Sequence, residues 1–143
     1  MPSAKARKHI AAAVEELDAL RELIVRDLGD AGVKELSADR RFATAYNAAL
    51  QTAKMAIVCA GYRLASMSGH HKLTFEAAHL ALGPAATKPL DYLDASRRKR
   101  NAIDYDHASM ATETEADEML VEARGFLDLV EKRIADHHPK LAR

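Results

Sequence analysis

The chain has a single cysteine, Cys59, no tryptophan, and only 5% aromatic side chains. One cysteine excludes an internal disulfide framework, so the fold must hold together by packing. With three Phe and four Tyr as the bulky fillers, Ala and Leu carry most of the core, which favours helices that approach closely through small side chains. No apolar run reaches the ~18 residues a membrane span needs. The start, Met-Pro-Ser-Ala-Lys-Ala-Arg-Lys-His, lacks the pattern of a signal peptide. A cytoplasmic protein with no membrane partner is expected. Neither sign of charge is in excess, at 21 basic and 21 acidic residues. That excludes a surface coated for nucleic acid and leaves room only for a local basic patch. No stretch alternates with period two, and there is no hairpin signal or internal repeat, so no sheet is expected.

What is present is helical periodicity. At 143 residues the chain reads as one domain, 1–143, able to bury about 70% of its unfolded surface. Ser3 can cap a helix running to about Leu28, with Ile10, Val14, Leu17, Leu20, Ile24 and Leu28 on its apolar stripe. Gly29 and Gly32 supply the stop. Ser37 opens a long helix predicted to reach about Ser66, its larger contacts being Phe42, Tyr46, Leu50, Ile57 and Leu64. Ala45, Ala49, Ala53, Ala56 and Ala60 form a small-residue strip along it. Gly61 falls inside this pattern, where close packing explains it. After the break at Ser68-Gly69-His70-His71, a short helix is predicted from about Thr74 to Leu82, ended by Gly83-Pro84. A fourth helix starts near Pro89 and Leu90. Thr112 with Glu115 fits a capping box for the last, whose buried face is Ala116, Met119, Leu120, Ala123, Leu127, Val130 and Ile134. The expected fold is all-α: an up-and-down four-helix bundle with an additional short helix.

The fourth helix changes character halfway. Residues 90, 93, 97, 100, 104 and 107 share one face and read Leu, Leu, Arg, Arg, Asp, His. A face that begins apolar and ends in guanidiniums, a carboxylate and an imidazole must emerge at a cleft, an interface or open water. Arg97, Arg98, Lys99 and Arg100 are candidates for a phosphate-backbone patch, although four consecutive side chains point around a helix and fit a solvated face as well.

Three fragments carry a family resemblance: the decapeptide that begins Arg41-Phe42-Ala43-Thr44 and contains Tyr46 and Asn47; Gly61-Tyr62-Arg63 followed by Gly69-His70-His71; and Arg100-Asn101 with Tyr105 and His107. In this order the sequence resembles the HEPN superfamily, the higher eukaryotes and prokaryotes nucleotide-binding domains. The last fragment is similar to the HEPN motif, an Arg, a polar residue and a His four to six positions on. The resemblance implies a helical bundle that dimerises with its two motifs close together. It also implies a metal-independent endoribonuclease of toxin–antitoxin or defence type, with a nucleotidyltransferase-type antitoxin as partner. The alternative it allows is a non-catalytic module that docks such a partner or a nucleotide. Two departures are visible: six residues separate Arg100 from His107, and Asp104 and Asp106 crowd the motif.

Metal-free RNA cleavage needs a group to move protons and a fixed charge on the phosphate. Histidine suits the first role and arginine the second. His107 is therefore the expected acid/base, Arg100 the phosphate ligand and Asn101 the residue that orients either. On one helix His107 and Arg100 stand about 10.5 Å apart in rise, so a dimer can instead bring Arg100 of one subunit to His107 of the other. The simpler readings are an Arg100–Asp104 surface pair and a solvated helix end at His107. Tyr105 is expected to pack against a neighbouring helix, while the resemblance also allows its modification by the partner enzyme. His70 and His71 read as cap or packing residues, and no zinc-type spacing of His or Cys occurs. Cys59, in an apolar run, reads as a buried small side chain. No nucleotide-binding loop or nucleophile elbow is present, and no metal or cofactor is expected.

Overall fold

The structure, a computed structural model, describes residues 3–62, 69–105 and 110–143. Its elements are α1 (Ala4–Ala31), α2 (Ala38–Cys59), α3 (His71–Leu82), α4 (Thr87–Tyr105) and α5 (Glu113–His137), with single 3-10 turns at Pro84–Ala86 and Pro139–Leu141. There is no strand among the described residues. The all-helical bundle expected from the sequence is the fold observed.

Three helices, α1, α2 and α5, start where the sequence puts them, because local side chains close them, whereas α3 begins at His71, before the expected Thr74, and α4 at Thr87, before the expected Pro89. Ser3 accepts from Ala6 N–H and Ser37 from Arg40 N–H, and Thr112 with Glu115 forms the complete capping box. The ends differ more. α1 runs through Gly29 to Ala31 and is capped at Gly32. α2 stops at Cys59, seven residues before the predicted end, and Gly61 has φ +89°. That left-handed backbone is open to glycine and costly for other residues. A Cβ at Gly61 would meet nothing within 4 Å, so the glycine serves a turn and not the close packing the sequence suggested. Leu64 and Ser66 lie outside the described residues.

α2 is the central element, packing against each of the other four helices. Thirteen of its 22 residues are buried, which requires apolar or small side chains around most of its circumference. Ala45, Ala49, Ala53 and Ala56 are buried as a strip, whereas Ala60 is exposed at the cap. Leu17, Leu20, Ile24 and Leu28 of α1 and Ala116, Met119, Ala123, Phe126, Val130 and Ile134 of α5 pack into the same core. The α5 stripe takes in Phe126 and leaves Leu127 half-buried.

Arg41 joins three helices although no part of it is exposed. Its Nε donates to the Ala31 carbonyl at 2.9 Å, closing the end of α1, and its Nη1 and Nη2 reach Glu113 at 2.7 Å and Asp117 at 2.5 Å on α5. A buried guanidinium is tolerable only with its donors satisfied in this way. A second tie, Arg21 to Glu131 with two bonds of 2.9 and 2.7 Å, holds α1 to α5.

Candidate functional site

α3 and α4 form a hairpin closed by Gly83 and the Pro84–Ala86 turn. Its geometry decides which residues meet. Counting about 16 Å back along each arm, at 1.5 Å per residue, sets the start of α3 level with the middle of the basic run on α4. There the apolar face of α4 has ended: Leu90, Leu93 and Ser96 are its buried residues. A cleft of about 680 Å³ opens at this level, lined by residues 69–73 and Glu76 of the α3 side and by Arg97, Arg100, Asn101 and Asp104 of α4. Of the three destinations open to the charged face, the structure has the cleft.

The basic run divides by helical phase. Arg97 and Arg100, three apart, both line the cleft. Arg98 is exposed. Lys99 turns toward α5, where it pairs with Glu115 and donates to the Met110 carbonyl at 3.2 Å. Arg97 also holds Asp94 at 3.1 Å. Three cationic side chains, Lys72, Arg97 and Arg100, face two carboxylates, Glu76 and Asp104. The N-terminal end of α3 adds its partial positive charge, and its N-cap, His70, makes no side-chain cap bond.

Arg100 is a half-buried residue in two partnerships. Its Nη1 pairs with Asp104, the intrahelical pair considered from the sequence, and its Nη2 makes a long bond of 3.4 Å to Asn47 Oδ1 on α2. Its Nε is buried and has no hydrogen-bond partner among the described residues. A buried donor without a partner is costly, and Arg133 Nε is in the same position. Asn101, the proposed orienting residue, lines the cleft and is exposed. His107 and Asp106 lie outside the described residues. Tyr105 is 83% exposed, so the expectation that it packs on a neighbouring helix is corrected: near the end of α4 it is Ile103 that packs against the core.

The residue the sequence reading undervalued is His71. It lines the cleft, and its Nδ1 is 3.0 Å from the hydroxyl of Tyr46. Tyr46 is completely buried on α2, with its ring 5.7 Å from the imidazole and packed edge-on to Phe75 at 6.0 Å. Burial raises the Tyr46 hydroxyl pKa, against the pull of Arg100 and Arg97, and the hydroxyl stays protonated. Burial first, then Arg100, Lys54 and Arg97, hold the His71 pKa below its ordinary value. Burial and the two arginines of the cleft thus both disfavour the imidazolium form of His71. Helical periodicity on α3 gives no sign of this, because the partner is 25 residues away on another helix; the only local clue is a histidine opening a helix just after Gly69.

The other histidines and the cysteine have plainer surroundings. His79 is exposed and bonds Thr87 at 2.9 Å. Cys59 is half-buried, and burial raises its thiol pKa to about 11, far from thiolate chemistry at neutral pH. No group of three or more His, Cys, Asp or Glu side chains suited to a metal ion occurs among the described residues. Among the described residues no helix is long and apolar enough to cross a membrane. Comparison with family models, curated proteins and solved structures finds no match.

Proposed function

We propose that this is a HEPN-like protein that binds RNA in the α3–α4 cleft and cleaves it without a metal ion. The observation that carries the reading is the convergence of His71 and Arg100–Asn101 at one cleft, with Asn47 bonded to Arg100 from α2, since these come from the three separate fragments on which the resemblance rests. Arg100, with Arg97 beside it, binds the phosphodiester; its planar fork suits two phosphate oxygens. Asn101 orients the bound group. His107, from the same chain or from a second copy, moves the proton between the 2′-hydroxyl, which attacks phosphorus, and the 5′-oxygen, which leaves. The products are a 2′,3′-cyclic phosphate and a 5′-hydroxyl. Two copies meeting at the charged half of α4 would bring the motifs together, and a nucleotidyltransferase-type partner would act as antitoxin.

A second reading is favoured by one observation, the exposure of Tyr105 at the end of α4. It is a non-catalytic module whose 97–107 face docks a nucleotidyltransferase, with Tyr105 open to modification, or takes up a nucleotide. Cleavage of structured RNA by purified protein in EDTA separates the two. The nuclease reading predicts cleavage that falls at least ~100-fold in both Arg100→Ala and His107→Ala. Cleavage unchanged in both variants contradicts it.

A further inference from the structure

Two nitrogens matter in His71. Nδ1 is committed to the Tyr46 hydroxyl, so Nε2 is the ring nitrogen left for the cleft. Tyr46 can either donate to Nδ1 or accept from it, because a neutral phenol does both. It therefore fits the imidazole in its neutral and its protonated form, and being wholly buried it cannot turn away. While the ring is neutral, a hydroxyl that donates to Nδ1 leaves the proton on Nε2, which is then a hydrogen-bond donor on the cleft that Arg97 and Arg100 also line.

We propose that His71 is a ligand of the phosphate group this cleft takes, through Nε2–H, and that Tyr46 is the positioning residue that fixes its tautomer. The proposal rests on the reading of the cleft as a phosphate site and adds a residue from outside the 97–107 stretch. Its consequence is proton linkage. Facing His71 are Tyr46 and Lys54 from α2 and Arg97 and Arg100 from α4; Lys72 and Glu76 on α3 itself and Asp104 on α4 line the same cleft. In the empty cleft the cations and burial disfavour imidazolium. A bound anion offsets the arginines, so the His71 pKa rises on binding, and affinity increases as pH falls through the interval between the free and bound values. Asp104 competes with the anion for Arg100, so Asp104→Asn should tighten binding several-fold.

The test is an NMR titration of the His71 ring in the full chain. Sulfate is the probe, because it carries its charge across the whole pH range, and chloride at matched ionic strength is the reference. The expected result is a His71 midpoint about one pH unit higher in sulfate, with the rise lost in Arg100→Ala. Ring nitrogen shifts should show the Nε2–H tautomer in the wild type, and Tyr46→Phe should lose that preference while keeping the fold. Equal midpoints in the two salts would overturn the proposal, as would a tautomer unmoved by Tyr46→Phe. The nuclease assignment fails or stands separately: a sulfate response without RNA cleavage keeps His71 and removes the nuclease. Cleavage with no response at His71 does the reverse.

Discussion

Tyr46 joins the core to the cleft through a single hydroxyl, which meets His71. Its ring is core and its oxygen is the one polar tip that meets the site. Tyr46→Phe removes one hydrogen bond without opening a cavity, so urea unfolding should show a loss of about 1 kcal/mol with the helical content unchanged; no loss would mean the bond contributes nothing. His71, whose pKa is lowered in the fold, binds protons less readily there than in the unfolded chain. Its contribution to stability is accordingly retained above the ordinary histidine range of ~6.5 and eroded as pH falls below it. The sequence disclosed Arg97 and Arg100 because helical phase puts them on one face with Leu90 and Leu93. It hid His71, whose role depends on a tertiary contact with α2 that no periodicity reports. Tyr105 is exposed for the converse reason: a tyrosine in a helix often packs, and nothing local says that Ile103 takes the inward face there instead.

Among the elements, the start of α5 and the residues just before it are tied by side chains to both α2 and α4. Asp39, in the first turn of α2, accepts from the backbone N–H groups of Met110 and Ala111 at 2.9 and 2.7 Å, just before the capping box of α5. Asp39→Ala leaves both donors to find other partners and should cost about 2 kcal/mol, read by urea unfolding; a wild-type midpoint would show that the segment is held elsewhere. The carboxylates at the start of α5 give this region its pH dependence. Lys99 and then the backbone of Thr112 lower the Glu115 pKa, and Arg41 and then Lys34 lower that of Asp117. Both are depressed, so their stabilisation is complete above the ordinary carboxylate range, near pH ~4, and is lost as pH falls through the lower folded values. A thermal midpoint that declines below pH ~4, less steeply in Asp117→Asn, is the expected outcome; identical acid limbs would contradict it. The caps at Ser3, Ser37 and Thr112 were legible because they are local hydrogen bonds. The end of α2 was not, since the apolar pattern continues past the turn that Gly61 makes.

For the molecule as a whole, the division of labour is between a core built on α2 and a hairpin, α3–α4, that carries charge out of it. Helical class followed from periodicity and from the want of alternating segments, and the place where the bundle opens followed from the change of residue type along α4. What binds there turns on whether RNA phosphate occupies the cleft. The most direct measurement is the salt dependence of binding between the protein and a single-stranded RNA whose 2′-oxygens are methylated to prevent cleavage. Loss of one phosphate contact lowers the slope of log affinity against log salt by about 0.7 for a single strand. The account predicts weaker binding with a slope reduced by about that amount in Arg100→Ala, against a wild-type slope for Arg26→Ala, an exposed arginine on α1. Equal affinities and slopes for the wild type and Arg100→Ala would contradict it.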